Sequence, residues 1–459
     1  MKAYKFDLLL QNEGWQKDTF VTVDEQGVIV AISTDKPHDT AFEQVRGYCL
    51  PGFQNAHSHG FQYAMAGLAE IHPDPSRSDD FWSWRNTMYK IALSIGPEQL
   101  EAIAAMLYAE MLRHGYTHVA EFHYLHHDQA GSPFENKAEM GERLLAAAER
   151  VGMNITLVPM FYQMGGFGKA PEPEQRRFIS ASLDAYLELL AASDHAVQKY
   201  SSARLGVGFH SLRAVNEAST HAFFDQQKSN LPFHIHVSEQ MKEVNECLVH
   251  YGSRPVQWLL NNTPIDSSFH LVHATHMTDE ETFGIANSGA HVVLCPSTEG
   301  NLGDGVFPLK KFQEAGGKWS IGTDSHIGLS PLEELRILDY GQRLTSHQRD
   351  QFVNPENGDS GHFGYDMSLK AGRAAIGNNA AEYFKVGAPF DAIVIDATRP
   401  LIGSSSSEKL LSTLIYAGDP SFLLGTITNG SWRIRIGRHA EYDKILADFN
   451  RAMASIGIR

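Results

Sequence analysis

A chain of 459 residues is long enough for one large domain and a smaller one, and 42% hydrophobic with 20% charged residues describes a soluble, globular protein. The formal charge of −16, with no basic stripe, argues against nucleic acid or an anionic membrane as partner, and a small dianion would have to be met by arginines placed locally. No apolar run is long enough to span a bilayer, the first residues lack the pattern of a signal peptide, and Cys49, Cys247 and Cys295 read as small buried hydrophobes in a reducing, cytoplasmic setting.

The first fifty residues carry short β-rich runs, "YKFDLLL", "TFVTV" and "GVIVAIS", broken by Gly, Asn and Asp. From Leu50 onward the style changes. Eight apolar runs, "CLPGFQNAH", "YTHVAEFH", "NITLVPMF", "RLGVGFHS", "LPFHIHVSE", "FHLVHATH", "AHVVLCPS" and "KWSIGTDS", alternate with helical patterns. One helix is plain: Pro97 stands at its first position, Leu100, Ile103, Leu107 and Met111 fall on one face, and Gly115 can end it. Eight strands with helical spacers are the arithmetic of a (β/α)8 barrel, and runs apolar throughout suit parallel strands covered on both faces. The C-terminal part returns to the opening style in "FDAIVID", "LGTITNG" and "WRIRIGR". The expected organisation is a small β-sandwich domain from both termini, residues 1–49 with 385–459, around a (β/α)8 barrel over residues 50–384. A doubly wound open sheet is the rival, but it gives no reason for polar residues at the ends of nearly every strand.

Those polar residues are mostly histidines, of which the chain has 23. His57 and His59 follow the first barrel strand. With a strand period of two they leave on the same face, with Cα atoms roughly 6–7 Å apart, a reach that suits two imidazoles converging on one ion. His210 ends the fourth strand, His236 the fifth, His273 the sixth and Asp324 the eighth, and closure of the barrel sets Asp324 beside the HxH pair. Catalytic groups of this fold sit at such strand ends. Glu239, three residues after His236, must lie where the chain turns past its strand. Arg213 stands on the loop after the fourth strand, where a guanidinium can grip a carboxylate. His123, His126 and His127 form a rival cluster whose offsets converge poorly, which suggests packing and substrate polarity; His276 and His326 read as packing or supporting groups.

This arrangement resembles the amidohydrolase superfamily over essentially the whole chain. The segments "NAHSHGFQYAMAGLAE", "FWSWRNTMYKIA", "VAEFHYLHHD", "FHIHVSEQ", "LVHATHM", "CPSTEGNLGDG" and "GTDSHIG" are similar to its formimidoylglutamate deiminase branch. The resemblance implies one Zn2+ held by His57, His59, His236 and Asp324, with Glu239 as proton carrier, His273 as hydrogen-bond donor to the reacting centre, and Asp324 also accepting the proton of the attacking water. The fourth strand, "RLGVGFHSL", has no lysine for the carboxylated bridge of two-metal relatives, so a mononuclear site follows more easily. The implied substrate is the small dianion N-formimino-L-glutamate, deiminated in histidine degradation. Its contacts would be Gln62, Arg85 in the "FWSWR" loop, Tyr124, His210 and Arg213, with Trp82 and Trp84 as lid or interface packing, in an expected homodimer. The alternatives are another zinc deaminase, acting on guanine, cytosine, adenosine or an s-triazine, and a non-catalytic barrel relative.

Overall fold

A computed structural model describes residues 1–38, 40–70, 81–226, 230–353 and 358–457, with residues 81–83 described by backbone alone. Four strands open the chain: β1 (Lys2–Gln11), β2 (Gly14–Val23), β3 (Ile29–Ser33) and β4 (Phe42–Pro51). The barrel strands follow as β5 (Phe53–Ser58), β6 (Tyr116–His123), β7 (Asn154–Phe161), the short β8 (Ala203–Leu205), β9 (Val207–Ser211), β10 (Phe233–Val237), β11 (Phe269–His273), β12 (His291–Leu294) and β13 (Lys318–Ile321). The chain then supplies β14 (Ala392–Asp396), β15 (Leu423–Thr428), β16 (Ser431–Arg435) and β17 (Arg438–His439).

Eight parallel strands run in the order β5-β6-β7-β9-β10-β11-β12-β13, with β8 paired beside β7. The eight apolar runs read from the sequence are these strands. β5, β6, β7, β10, β11 and β12 are buried at every residue, as strands covered on both faces must be. The ring closes where the first strand meets the chain beyond the last. Ser58 bridges Asp324 in parallel, the amides of Thr323 and Asp324 both donate to the His57 carbonyl at 3.1 Å, and the His59 amide donates to the Asp324 carbonyl at 3.2 Å. Gly322 permits this seam, since a Cβ there would lie 2.8 Å from His57 Cβ and 2.9 Å from its backbone oxygen. The Asn55 side chain adds to it, donating to Thr323 Oγ1 at 2.8 Å and accepting from the Thr323 amide at 3.1 Å.

Among the described residues, the connection between β5 and β6 carries two α-helices, α1 (Phe81–Ser94) and α2 (Pro97–Arg113). α2 matches the sequence reading, with Pro97 at its start, Leu100, Ile103, Leu107 and Met111 buried, and Gly115 past its end at φ +99°. α1 corrects it. "FWSWR" is the first turn and a half of a helix, and the expected loop is absent there. α1 lies over the barrel mouth against the chain that follows His59.

The terminal strands form one mixed ladder, β17-β16-β15-β14-β4-β1-β2-β3, so residues from both ends of the chain share a sheet. That sheet folds back on itself. Tyr4 on β1 meets Trp432 on β16 edge-to-face at 6.3 Å, and its hydroxyl donates to the Gly430 carbonyl at 2.8 Å, although three strands separate β1 from β16 in the ladder. This is the two-layered packing of a sandwich, with Tyr4, Phe6 and Phe390 in its centre.

Candidate active site

The C-terminal ends of the barrel strands deliver the expected groups to one place. His57 and His59 leave the end of β5, His236 comes from β10, and Asp324 follows β13 across the seam. His57 Nε2 lies 3.2 Å from His59 Nε2 and 3.1 Å from His236 Nε2. Asp324 Oδ1 lies 3.4 Å from His57 Nε2 and 3.2 Å from His59 Nε2. Four donors bound at 2.0–2.1 Å around one tetrahedral ion stand about 3.3 Å apart, so these separations match the edges of such a shell.

The donor atoms are also in the right chemical state. His59 Nδ1 donates to the Phe122 carbonyl at 2.8 Å, and His236 Nδ1 donates to the His210 carbonyl at 2.8 Å. Each bond fixes the tautomer and leaves Nε2 with a lone pair facing its neighbours. Burial holds His57 down to about 3 and His236 well below the ordinary histidine range, so both rings are neutral at physiological pH. Burial would raise the Asp324 carboxyl, but the His57 and His59 rings beside it outweigh that and keep the group well below the usual carboxylate range. All four residues are buried, and their donor atoms lie within 4.8 Å of one another. The residues present therefore fit a divalent ion.

Beside this cluster stand Glu239 and His273. β10 ends at Val237, and Ser238 takes a left-handed backbone at φ +52°, which swings Glu239 back over the mouth instead of away from His236. His273, Ala274 and Asp324 are likewise left-handed, at φ +69°, +48° and +44°, and strain of this kind gathers where side chains are aimed for use. His273 Nε2 is 3.7 Å from Glu239 Oε1 and 3.8 Å from Asp324 Oδ2, while its Nδ1 is held by Glu299 Oε1 at 3.2 Å. Burial works against charge on His273, but Glu239, Glu299 and Asp324 together carry it up to about 10, an imidazolium. Burial lifts the Glu239 carboxyl to about 7; His273 and Arg213 oppose the rise and Asp324 adds to it.

The same cavity is lined by Gln62, Arg85, Tyr124, His210 and Arg213. Gln62 Nε2 donates to Tyr124 Oη at 2.8 Å. Arg85 reaches the cavity from α1, with its guanidinium 5.2 Å above the Tyr89 ring. Trp84, Met88, Tyr89, Tyr162, Phe178 and Leu302 complete the lining. The Trp82 side chain lies outside the described residues.

Two supports went unread in the sequence. Glu121, buried on β6, accepts from Ser58 Oγ at 2.7 Å, the Gly60 amide at 2.5 Å and Tyr108 Oη at 3.0 Å, and so fixes the turn that carries His59. Its signal was a lone acid inside an apolar run, "VAEFH". Glu299 accepts from the Cys295 amide at 2.9 Å and orients His273. The rival cluster resolves into packing: His126 Nε2 donates to the Met160 carbonyl at 2.9 Å and His127 Nε2 to the Ile179 carbonyl at 2.8 Å. Among the described residues His123, His126 and His127 form no metal-holding group. His326 supports the seam, with Nδ1 3.0 Å from Thr323 Oγ1.

Residues 48–432 match the amidohydrolase family. The chain belongs to the amidohydrolase family. Among amidohydrolases, the formimidoylglutamate deiminase of Pseudomonas aeruginosa is 41% identical over 457 residues, covering 99% of this chain and 100% of that one. The 5-methylthioadenosine/S-adenosylhomocysteine deaminase of Haloarcula marismortui is 26% identical over 427 residues, or 91% of this chain and 88% of its own. A crystal structure of an amidohydrolase from Brucella melitensis superposes with a TM-score of 0.92 at 38% identity, covering 99% of this chain and 100% of that one. The amidohydrolase fold and its histidine and aspartate cluster are thus those read from the sequence.

Proposed function

We propose that this amidohydrolase deiminates N-formimino-L-glutamate, with water, to N-formyl-L-glutamate and ammonia, a step of histidine degradation, and that one Zn2+ is held by His57, His59, His236 and Asp324. The observation that carries the reading is the pairing, in one cavity, of a four-donor cluster and Glu239 with two arginines, Arg85 and Arg213. Flat neutral purines and triazines have no use for two guanidiniums, whereas a substrate with two carboxylates needs both. The 41% identity to a formimidoylglutamate deiminase supports the same substrate.

A divalent ion in the cluster supplies Lewis acidity, which makes a nucleophile available from water near neutral pH. The chain does the rest. Arg85 and Arg213 grip the glutamate carboxylates, and Gln62, Tyr124 and His210 line the wall against the formimino group. Asp324 and Glu239 accept protons from the attacking water. Glu239 passes the first of these protons to the formimino nitrogen, which sharpens the carbon as an electrophile; the second, taken by Asp324 from the hydroxyl of the adduct as its C=O forms, goes to the same nitrogen, whose bond to carbon breaks to release ammonia. A carboxyl whose resting value is near 7 is matched to taking and giving a proton at neutral pH. The His273 imidazolium, steadied by Glu299, donates toward the negative charge that builds on the attacked centre.

Ammonia release from N-formimino-L-glutamate, measured against adenosine, guanine, cytosine and an s-triazine, tests the reading. Turnover of the formimino dianion alone is expected; turnover of purines alone refutes the assignment. Metal analysis of the same sample should return one zinc per chain.

A further inference from the structure

The two arginines are long side chains on different elements, Arg85 on α1 and Arg213 after β9, and something must fix the distance between them. The segment Glu172–Phe178 does so. It crosses the mouth between the end of β7 and α1 and touches α1 along its length. The Glu172 carboxylate lies 3.5 Å from Arg85 Nη2. At the other end of α1, the fully buried Arg177 donates to the carbonyls of Ala92 and, at 2.6 Å, Ile95, and to that of His127 at 2.9 Å. The first two are carbonyls that a helix end leaves without partners, and a guanidinium is the side chain that serves several at once.

Between these contacts stands Gln175, with no exposed surface. Its Oε1 accepts from the Glu172 amide at 2.8 Å. A backbone amide can only donate, so the orientation of the side-chain amide is settled and Nε2 faces the cavity wall. From there it donates to Tyr162 Oη at 2.8 Å and to Tyr89 Oη at 3.2 Å. The two tyrosines lead to the two arginines. The Tyr89 ring lies under the Arg85 guanidinium at 5.2 Å. Tyr162 leads into Gln163 and Met164, whose amides both donate to the Ala214 carbonyl, at 2.7 and 2.9 Å, next to Arg213.

We propose that Gln175 is a positioning residue that sets the spacing of the Arg85–Arg213 pair, through Tyr89 and Tyr162, and so tunes the site to a substrate with two carboxylates. The inference rests on the reading that those arginines grip the substrate. Gln175 touches no reacting atom. It acts on binding of the dianion and leaves the proton chemistry at Glu239 alone.

The test is a double-substitution cycle on the full-length, metal-loaded protein, read as ammonia release from N-formimino-L-glutamate. Gln175→Met, close in size but without the amide, should raise KM about tenfold and hold kcat within about threefold. In an Arg85→Met background the same change should move KM by less than about twofold, because with one arginine gone there is no spacing left to set. An equal KM factor in both backgrounds, or a loss falling mainly on kcat, overturns the proposal. If Gln175→Met does not fold, Tyr89→Phe removes one of the same hydrogen bonds from its other end, and the same pattern is required of it. A wild-type chain that releases no ammonia refutes the functional reading and this inference with it. A wild type that turns over, with Arg85→Met at wild-type KM, refutes the two-arginine grip and this inference with it, and leaves the deiminase reading standing.

Discussion

Replacing Glu239 by glutamine keeps the shape of the side chain and removes its ability to carry a proton. The carboxyl is buried, 3.7 Å from His273 Nε2, and is none of the four donors in the metal cluster. A positioned general acid–base contributes about 10²- to 10⁴-fold in rate, or roughly 3–5 kcal/mol of barrier. Here one group takes the proton from water and gives it to nitrogen at a value near neutrality, so the upper part of that range is expected, a fall in kcat of about 10³-fold or more. KM should stay within about threefold, because Arg85 and Arg213 are untouched. The assay is continuous ammonia release, with metal content measured by mass spectrometry on the same preparation. A Glu239→Gln variant that keeps its metal and more than about a tenth of wild-type kcat would refute the role of Glu239 as proton carrier.

Arg213→Met should raise KM for the dianion by about tenfold or more, the worth of a hydrogen bond to a charged group, and an unchanged KM would move the carboxylate grip elsewhere. Gly322→Ala should push β5 from the chain after β13, because its Cβ would stand 2.8 Å from His57 Cβ; metal content and activity should fall together, and full metal occupancy would refute the account of the seam. Stability should fall with pH through Glu334. Burial raises this carboxyl to about 8 against the hydrogen bonds from Ser297, while in the unfolded chain it titrates near 4.5. The folded state therefore holds the extra proton between those values, so stability is lost as pH rises from about 4.5 to about 8 and changes little above. Thermal melts of wild type and Glu334→Gln should diverge across that window in favour of the variant; parallel curves would contradict it.

The metal cluster was legible in the sequence because its geometry follows from two simple periods. Alternation along a strand puts His57 and His59 on one face, and a closed eight-strand ring makes the residue after the last strand a neighbour of the first. Counting strands puts His236, His273 and Asp324 at strand ends around the same mouth, and the family resemblance implied which of them join the HxH pair in holding the ion. Glu239 was placed by elimination, since no strand residue three after His236 could face the same way, and the left-handed turn at Ser238 is the device that brings it round. What stayed hidden depends on contacts far apart in the chain. Glu121 and Glu299 look like isolated acids until Ser58 and His273 are set against them. Gln175 sits in a Pro- and Glu-rich stretch that reads as a surface turn, and only the fold lays it between Tyr89 and Tyr162. The helix at "FWSWR" escaped for a related reason. Its aromatic-rich start lacks a clean apolar stripe, and its place is decided by the barrel mouth and the strap beneath it more than by local preference.

The central claim is that His57, His59, His236 and Asp324 hold a single ion on which the chemistry depends. Chelator-stripped protein titrated with Zn2+ tests it most directly, with bound metal and ammonia release from N-formimino-L-glutamate followed together. Activity should rise linearly and stop at one equivalent per chain, and His236→Ala should abolish the step. Activity in the stripped protein, or a rise that continues to two equivalents, would contradict it.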